Sequence, residues 1–124
     1  MISLGMTPIL PAFTGFVPRA LVTHFPNSTF VNGSAWEDFP TEYTNTTFLE
    51  PTDSLFEELQ TRVIAKMMQE YGNITKYYTL DQYNENDPYS GSTSYLRNVS
   101  QSTWKSLKKA NNDAVWVMQG WLFY

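Results

Sequence analysis

The sequence of 124 residues contains no cysteine and a single histidine, His24. The lack of cysteine excludes disulfide bonds and thiolate catalysis, and one histidine leaves little with which to build a zinc site. The acidic residues around Glu85 lack the ligand rhythm and the central glycine of an EF-hand loop, so we expect no calcium site there. We therefore expect neither a metal nor a cofactor.

Charged residues are few, and long hydrophobic runs are lacking. Charged residues make up 16% of the chain and the net charge is −4, which argues against nucleic acid as a partner. Lys105, Lys108 and Lys109 cluster near the end of a predicted helix, where they suit the helix dipole. No apolar stretch approaches the roughly 18–20 residues of a membrane-spanning helix, so we expect no membrane span. Residues 1–6 show no signal peptide.

Hydrophobic residues make up 42% of the chain, a composition typical of one small globular domain. Five N-x-S/T sequons stand out against about two expected by chance from nine asparagines and 24 serines and threonines. The excess indicates a glycosylated protein of the secretory route, although a Ser/Thr-rich surface with chance spacing is the alternative. Since no signal peptide is visible, we expect the chain to begin partway through a longer protein. The sequons lie at Asn27, Asn32, Asn45, Asn73 and Asn98.

Hydrophobic spacing divides the chain into alternating strands and helices. Residues 54–71 form the clearest helix, with a capping box from Ser54 to Glu57 and a C-terminal cap at Gly72. Residues 27–52 are rich in Asn, Thr, Gly and Pro and are predicted to form a long loop, a feature that is usually functional. The predicted strands are residues 7–13, 77–83 and 114–119, and the other predicted helices are residues 17–25 and 94–110.

This order predicts parallel strands joined by right-handed crossovers. Three such strands suit either a doubly wound sheet or a (β/α)8 barrel, of which a complete copy takes about 250 residues. Both architectures place their chemistry beyond the carboxyl ends of the strands. Glu85 follows the second strand by two residues, Trp121 follows the last, and Trp36 lies in the long loop after the first. We therefore expect these three to share one face, with Trp104 and Trp116 packing in the core.

Three segments carry a resemblance to a known family. Their sequences are GMTPILPAFTGFVP (residues 5–18), YNEN (residues 83–86) and AVWVMQGWLF (residues 114–123). With DSLFEEL before the long helix, they resemble the alpha-N-acetylglucosaminidase family, the lysosomal enzymes that act on heparan sulfate, and their relatives. The resemblance runs over essentially the whole chain. It implies that residues 1–124 are a fragment of a single glycoside hydrolase catalytic domain, with an α/β fold that is a partial (β/α)8 TIM barrel of about three parallel strands.

The resemblance also implies a function and a site. Members of this family are retaining glycoside hydrolases that remove terminal alpha-linked N-acetylglucosamine with two glutamates. Glu85, in the Asn-Glu pair, corresponds to the general acid/base, and Asn84 would hydrogen-bond the sugar near its 2-substituent. Trp36 and Trp121 look like the tryptophans that line the sugar pocket. The nucleophile would come from the rest of the barrel, and the family's route is lysosomal or secreted.

Some positions depart from the family's pattern. Phe16 stands where a polar residue is expected, Tyr83 replaces a phenylalanine, and the loop near residues 43–47 has no cysteines. The first and last of these leave the pocket edge and the anchoring of the loop open. Neither of them touches the acid. The competing function is a non-catalytic carbohydrate-binding or interaction module derived from the same fold, which kept the tryptophans and lost the catalytic machinery.

Overall fold

The computed structural model describes residues 1–36, 39–44 and 46–120. Within these ranges the chain forms two three-stranded sheets and two long helices, together with shorter helices and a 3-10 turn over Ile2–Leu4. The strands are β1 (Leu10–Pro11), β2 (Phe16–Val17), β3 (Phe30–Asn32), β4 (Thr47–Leu49), β5 (Tyr77–Thr79) and β6 (Val115–Val117). The helices are α1 (Ala20–His24), α2 (Thr41–Thr44), α3 (Ser54–Tyr71) and α4 (Thr93–Ala110).

The first sheet is parallel, with the strand order β1-β5-β6. Leu10 is paired with Tyr78, and Tyr78 with Trp116, so β5 is the central strand. The three predicted parallel strands are thus confirmed, but each is shorter than expected. Proline has no N–H to donate, so Pro8 and Pro11 limit β1 to two residues.

Helices α3 and α4 pack on each other and supply the core beneath the parallel sheet. Ile64 of α3 and Leu107 of α4 are fully buried against the central strand. Leu107 belongs to the hydrophobic stripe predicted for its helix. Ile64 does not, because the stripe predicted for α3 was Leu55, Leu59, Val63, Met67 and Tyr71, and the buried face lies one position further along the chain. The bounds of both helices are nevertheless predicted almost to the residue. The buried residues of this core are Ala12, Ile64, Tyr78, Leu80, Leu107 and Ala114.

The start of α3 differs from the expected capping box. The N-cap is Asp53, whose carboxylate accepts a hydrogen bond from the N–H of Leu55 at 2.9 Å. Glu57 is consequently one position too far along to close the box, and it forms an ion pair with Lys109 of α4 instead. Gly72 is confirmed as the C-terminal cap, with a φ of 79° that favours glycine.

The second sheet is antiparallel, with the order β2-β4-β3, and it corrects the predicted long loop. Residues 27–52 contain two strands, and Phe48 of β4 is paired with Phe16 on one side and Val31 on the other. Because Val17 pairs with Thr47 in this sheet, it is not available for the predicted helix over 17–25, and α1 begins only at residue 20.

The two tryptophans expected in the core differ. Trp116 packs against the main core and donates a hydrogen bond from Nε1 to the carbonyl of Leu80 at 2.6 Å, which confirms the prediction. The prediction for Trp104 is wrong, since it is 41% exposed and lies under the ammonium group of Lys108 at 5.3 Å. It projects from the outer face of α4, whose inner face is formed by its neighbours Thr103 and Leu107.

Candidate active site

Two of the predicted site residues are in direct contact. The indole Nε1 of Trp36 donates a hydrogen bond to Oε2 of Glu85 at 2.9 Å, although the two residues are 49 positions apart. Trp36 follows β3 of the antiparallel sheet, and Glu85 follows β5 of the parallel sheet. The ring of Trp36 stacks on Phe39 with centroids 5.2 Å apart, and 40% of Trp36 is exposed. The contact therefore joins the two sheets at the surface, where a ligand could reach it.

Glu85 lies in a tight turn rather than directly after a strand. The N–H of Asn86 donates to the carbonyl of Tyr83 at 2.8 Å, which closes the turn around Asn84 and Glu85. Asn84 has a φ of 50°, in the left-handed region that asparagine tolerates better than most residues. Both Asn84 and Glu85 are exposed. The predicted strand over 77–83 is corrected here, because β5 ends at Thr79.

The chain leaves the parallel sheet after Leu80, whose N–H still donates to the carbonyl of Val117 at 3.2 Å, because side chains occupy the next backbone groups. The carboxylate of Asp81 accepts from the N–H of Gln119, with N–O distances of 3.0 and 3.2 Å. Trp116 similarly occupies the carbonyl of Leu80. These contacts end the strand pairing and direct residues 82–87 toward the antiparallel sheet.

Ser34 fastens the loop of Trp36 to the turn of Glu85. Its Oγ accepts a hydrogen bond from the N–H of Asp87 at 2.9 Å, and the Nδ2 of Asn86 donates to both the carbonyl and the Oγ of Ser34 at 3.2 Å. We call these bonds the Ser34 clasp. The sequence marks Ser34 only as the third residue of the Asn32 sequon, so this role was not predicted.

A second set of side chains lies behind the turn. Tyr95 donates a hydrogen bond to Oε1 of Glu50 at 2.7 Å, and the hydroxyls of Tyr95 and Tyr83 are 3.2 Å apart. Glu50 and Tyr83 are each only 4% exposed. We call these three residues the Glu50–Tyr95–Tyr83 relay. No sequence pattern indicated it, since nothing local marks a glutamate or a tyrosine for burial.

Burial decides the protonation of the relay. It raises the pKa of Glu50 above its usual value of 4.5, against a smaller opposite effect of the hydrogen bond from Tyr95. Burial also raises the pKa of Tyr83 to about 12, and it raises the pKa of Tyr95. The two phenols thus keep their protons at neutral pH and act as hydrogen-bond donors.

The departures from the family's pattern lie next to this site. Phe16 packs edge-to-face on Phe48 with centroids 5.4 Å apart, and Tyr83 lies against the same ring at 5.0 Å. Both aromatic residues therefore belong to a small core between the antiparallel sheet and the Glu85 turn, completed by Val99 of α4.

The remaining predicted residues that the structure describes lie at the surface. Trp121 lies outside the described residues, as does Asn45. The other four sequon asparagines are exposed: Asn27, Asn32, Asn73 and Asn98. In the described ranges, no three His, Asp or Glu side chains are grouped so that they could hold a metal ion. None of the helices within those ranges is long and apolar enough to cross a membrane.

Comparison with known proteins identifies the family. A family model for the alpha-N-acetylglucosaminidase (NAGLU) TIM-barrel domain matches residues 1–124. Human alpha-N-acetylglucosaminidase is 34% identical over 123 residues, which cover 99% of this chain and 16% of the human protein. The chain thus spans about a sixth of the length of this curated relative.

Solved structures agree on the fold. A family 89 glycoside hydrolase from Clostridium perfringens in complex with PUGNAc matches with a TM-score of 0.77 and 20% identity, over 94% of this chain and 13% of that one. The complex with 2-acetamido-1,2-dideoxynojirmycin gives 0.76 and 21%, over 95% and 14%. The same enzyme, with two glutamates changed to glutamine, has been solved with its substrate GlcNAc-alpha-1,4-galactose. The chain therefore belongs to the alpha-N-acetylglucosaminidase TIM-barrel family, and its fold is a segment of that α/β barrel.

Proposed function

We propose that residues 1–124 are a fragment of a single glycoside hydrolase catalytic domain in which Glu85 is the general acid/base. The reaction would remove terminal alpha-linked N-acetylglucosamine from glycans such as heparan sulfate. The observation that carries the proposal is the hydrogen bond from the Trp36 indole to the Glu85 carboxylate, on an exposed turn beyond the central parallel strand. Barrel enzymes have their active sites beyond the carboxyl ends of the strands.

The chemistry follows the retaining mechanism. Glu85 would protonate the glycosidic oxygen while a second carboxylate, supplied by the rest of the barrel, attacks the anomeric carbon. Glu85 would then act as a base and activate the water that releases the sugar. Trp36 holds Oε2 of Glu85, and we assign Oε1 to the proton transfer.

Three further residues would bind the sugar. Asn84 is exposed beside Glu85, and its amide can both donate to and accept from a 2-acetamido group. The exposed ring of Trp36 offers an apolar face to the sugar's C–H groups. Trp121 has the same proposed role, which stays a prediction because it lies outside the described residues.

The rest of the barrel is an essential partner in this proposal. The parallel sheet has β1 and β6 at its edges, and an edge strand carries unpaired backbone N–H and C=O groups that can pair with a further strand. The second carboxylate of the mechanism must also come from elsewhere in the barrel. We therefore expect the isolated 124-residue chain to be inactive, and turnover by it above that of its own Glu85→Gln variant would contradict the division of roles.

The experiment uses the complete enzyme with Glu85→Gln and compares leaving groups. Loss of a general acid costs about 10²–10⁴-fold in rate. A sugar alcohol needs the proton in order to leave, so the rate of its release should fall by that factor. The rate of glycosyl-enzyme formation from a dinitrophenyl glycoside should change far less. Asp87→Asn is the matched control, since it neutralises another exposed carboxylate of the same segment. An equal loss for both leaving groups in a folded Glu85→Gln enzyme would exclude acid catalysis by this residue.

We also propose that the protein follows the secretory route, to the lysosome or to the outside. Four of the five sequon asparagines are exposed, including Asn98 on the outer side of α4. Peptide mapping of the full-length protein from a eukaryotic secretory host should find N-glycans at several of these positions. Five unmodified asparagines would remove the support for this route.

A further inference from the structure

Tyr83 forms the first corner of the turn that presents Glu85. Its carbonyl accepts the hydrogen bond from Asn86 that closes the turn, and its ring is buried against Phe48 and Val99. Any shift of the Tyr83 ring therefore moves the backbone two residues before the proposed acid. What fixes this ring also fixes the position from which Glu85 reaches the glycosidic bond.

Apolar packing alone does not explain what surrounds the ring. The Tyr83 hydroxyl meets the hydroxyl of Tyr95 in the first turn of α4, and Tyr95 in turn donates to Glu50, directly after β4. A buried carboxyl group costs free energy unless it is hydrogen-bonded, so a leucine at position 50 would be the simpler choice for stability. The relay instead fastens the turn, helix α4 and the antiparallel sheet to one another by directional bonds.

We infer that Glu50, Tyr95 and Tyr83 are positioning residues that hold the Glu85 turn at the distance the proton transfer needs. This inference rests on the proposed function of Glu85. None of the three touches the Glu85 carboxylate, which is held by Trp36 on its other side. The relay acts through the backbone of the turn, and the Ser34 clasp secures the opposite corner.

The test removes one hydroxyl from the relay in the complete enzyme. Tyr95→Phe keeps the ring and abolishes the bonds to both Glu50 and Tyr83. A catalytic group displaced by about 1 Å can lose up to about 10²-fold in rate, so kcat for a sugar-alcohol leaving group should fall toward that limit with little change in KM. The rate of glycosyl-enzyme formation from the dinitrophenyl glycoside should fall much less. Tyr89→Phe is the control, because Tyr89 lies beside Tyr95 but is 66% exposed.

A double-mutant cycle separates this inference from the function on which it rests. In a Glu85→Gln background there is no proton to position, so adding Tyr95→Phe should cause no further loss. An additive loss, or a loss equal for both leaving groups, would overturn the relay's role while the leaving-group dependence of Glu85→Gln still stood. If Glu85→Gln itself showed no such dependence, the proposed function would fail, and the relay's role with it.

Two substitutions at Glu50 give the same answer if Tyr95→Phe does not fold. Glu50→Gln retains a carbonyl that can accept from Tyr95 and should keep most of the activity, whereas Glu50→Met has a similar length and no such acceptor. Only the methionine variant should show the leaving-group-dependent loss. Equal kcat values for the two folded variants would overturn the inference.

Discussion

The two sheets of this chain differ in how they relate to the candidate active site. The parallel sheet with α3 and α4 is a framework built around the main core, and the turn of Glu85 follows its central strand. The antiparallel sheet is inserted between β1 and α3 and supplies Trp36, Ser34 and Glu50. The framework thus presents the proposed acid, while the inserted sheet holds and surrounds it. Damage to the two regions should consequently have different effects on catalysis.

The largest expected effect, on the free energy of unfolding, comes from truncating a buried side chain in each of the two cores. Phe48→Ala removes the ring that packs on Tyr83 and should destabilise the complete protein by about 3–5 kcal/mol. Leu107→Ala in the framework should cost about 2–5 kcal/mol. Urea unfolding measures both losses. At a temperature where both variants are folded, only Phe48→Ala should lower kcat, because only that core touches the Glu85 turn. Equal kcat values for the two variants would contradict the proposed difference between the two sheets.

A smaller loss should follow from filling the junction between the sheets. Gly15 has a φ of 106°, and a Cβ there would lie 2.6 Å from the ring of Phe48. Gly15→Ala should therefore destabilise the protein by about 1–3 kcal/mol, through backbone strain and overpacking. Gly91→Ala is the matched control, since a Cβ at that position meets nothing within 4 Å. Similar melting temperatures for the two variants would contradict the tight packing at Gly15.

Opening the Ser34 clasp should have a modest effect on stability and a clear effect on activity. Ser34→Ala removes the Oγ that accepts from Asp87 and Asn86, a loss of about 0.5–1.5 kcal/mol per hydrogen bond. Activity should fall because Trp36 and Glu85 are no longer held together. The same change destroys the Asn32 sequon, so Asn32→Gln is the necessary control. It removes the sequon and leaves Ser34 in place. Equal losses in the two variants would attribute the effect to the glycan.

The smallest effect concerns pH and Glu50. Burial raises the folded-state pKa of Glu50 above 4.5, so the folded protein holds this proton at pH values where the unfolded chain has released it. The contribution of Glu50 to stability is therefore largest below about pH 4.5 and falls as pH rises through the folded-state pKa. Unfolding free energies from about pH 4 to about pH 7 should show wild type losing stability relative to Glu50→Gln. If wild type instead gained stability relative to Glu50→Gln as the pH rises, the raised pKa of Glu50 would be contradicted.

The framework was predictable from the sequence, and the reason lies in its periodicity. The helix predicted over residues 54–71 is α3 to the residue, because apolar residues recur at helical spacing and Gly72 ends the run. The face that it buries lies one position along from the predicted one and includes Phe56, Gln60 and Ile64. The inserted sheet was not predictable in the same way. Its strands are as short as those of the parallel sheet, but their Asn- and Thr-rich surroundings are typical of loops, whereas β5 and β6 lie within longer apolar runs over residues 77–83 and 114–119.

The candidate site divides along the same line. Glu85 could be selected because it follows a predicted strand, and Trp36 because it lies in the predicted long loop, and the family resemblance marks both. Ser34 and Glu50 could not, because their roles depend on partners 45 to 53 residues away, which local patterns do not encode. Sequence reasoning thus found the side chains proposed to do chemistry and missed those that hold them.

The identity of a trapped product tests the central claim most directly. Full-length Glu85→Ala enzyme should form its glycosyl-enzyme from a dinitrophenyl glycoside and then stall, since no base activates water. Azide, a small anion that needs no base, should restore turnover and yield an alpha-linked glycosyl azide, detectable by mass spectrometry and NMR. Asp87→Ala should hydrolyse the same substrate without forming the azide. A folded Glu85→Ala enzyme that gives only the free sugar, at a rate independent of azide, would contradict the assignment of Glu85 as the acid/base.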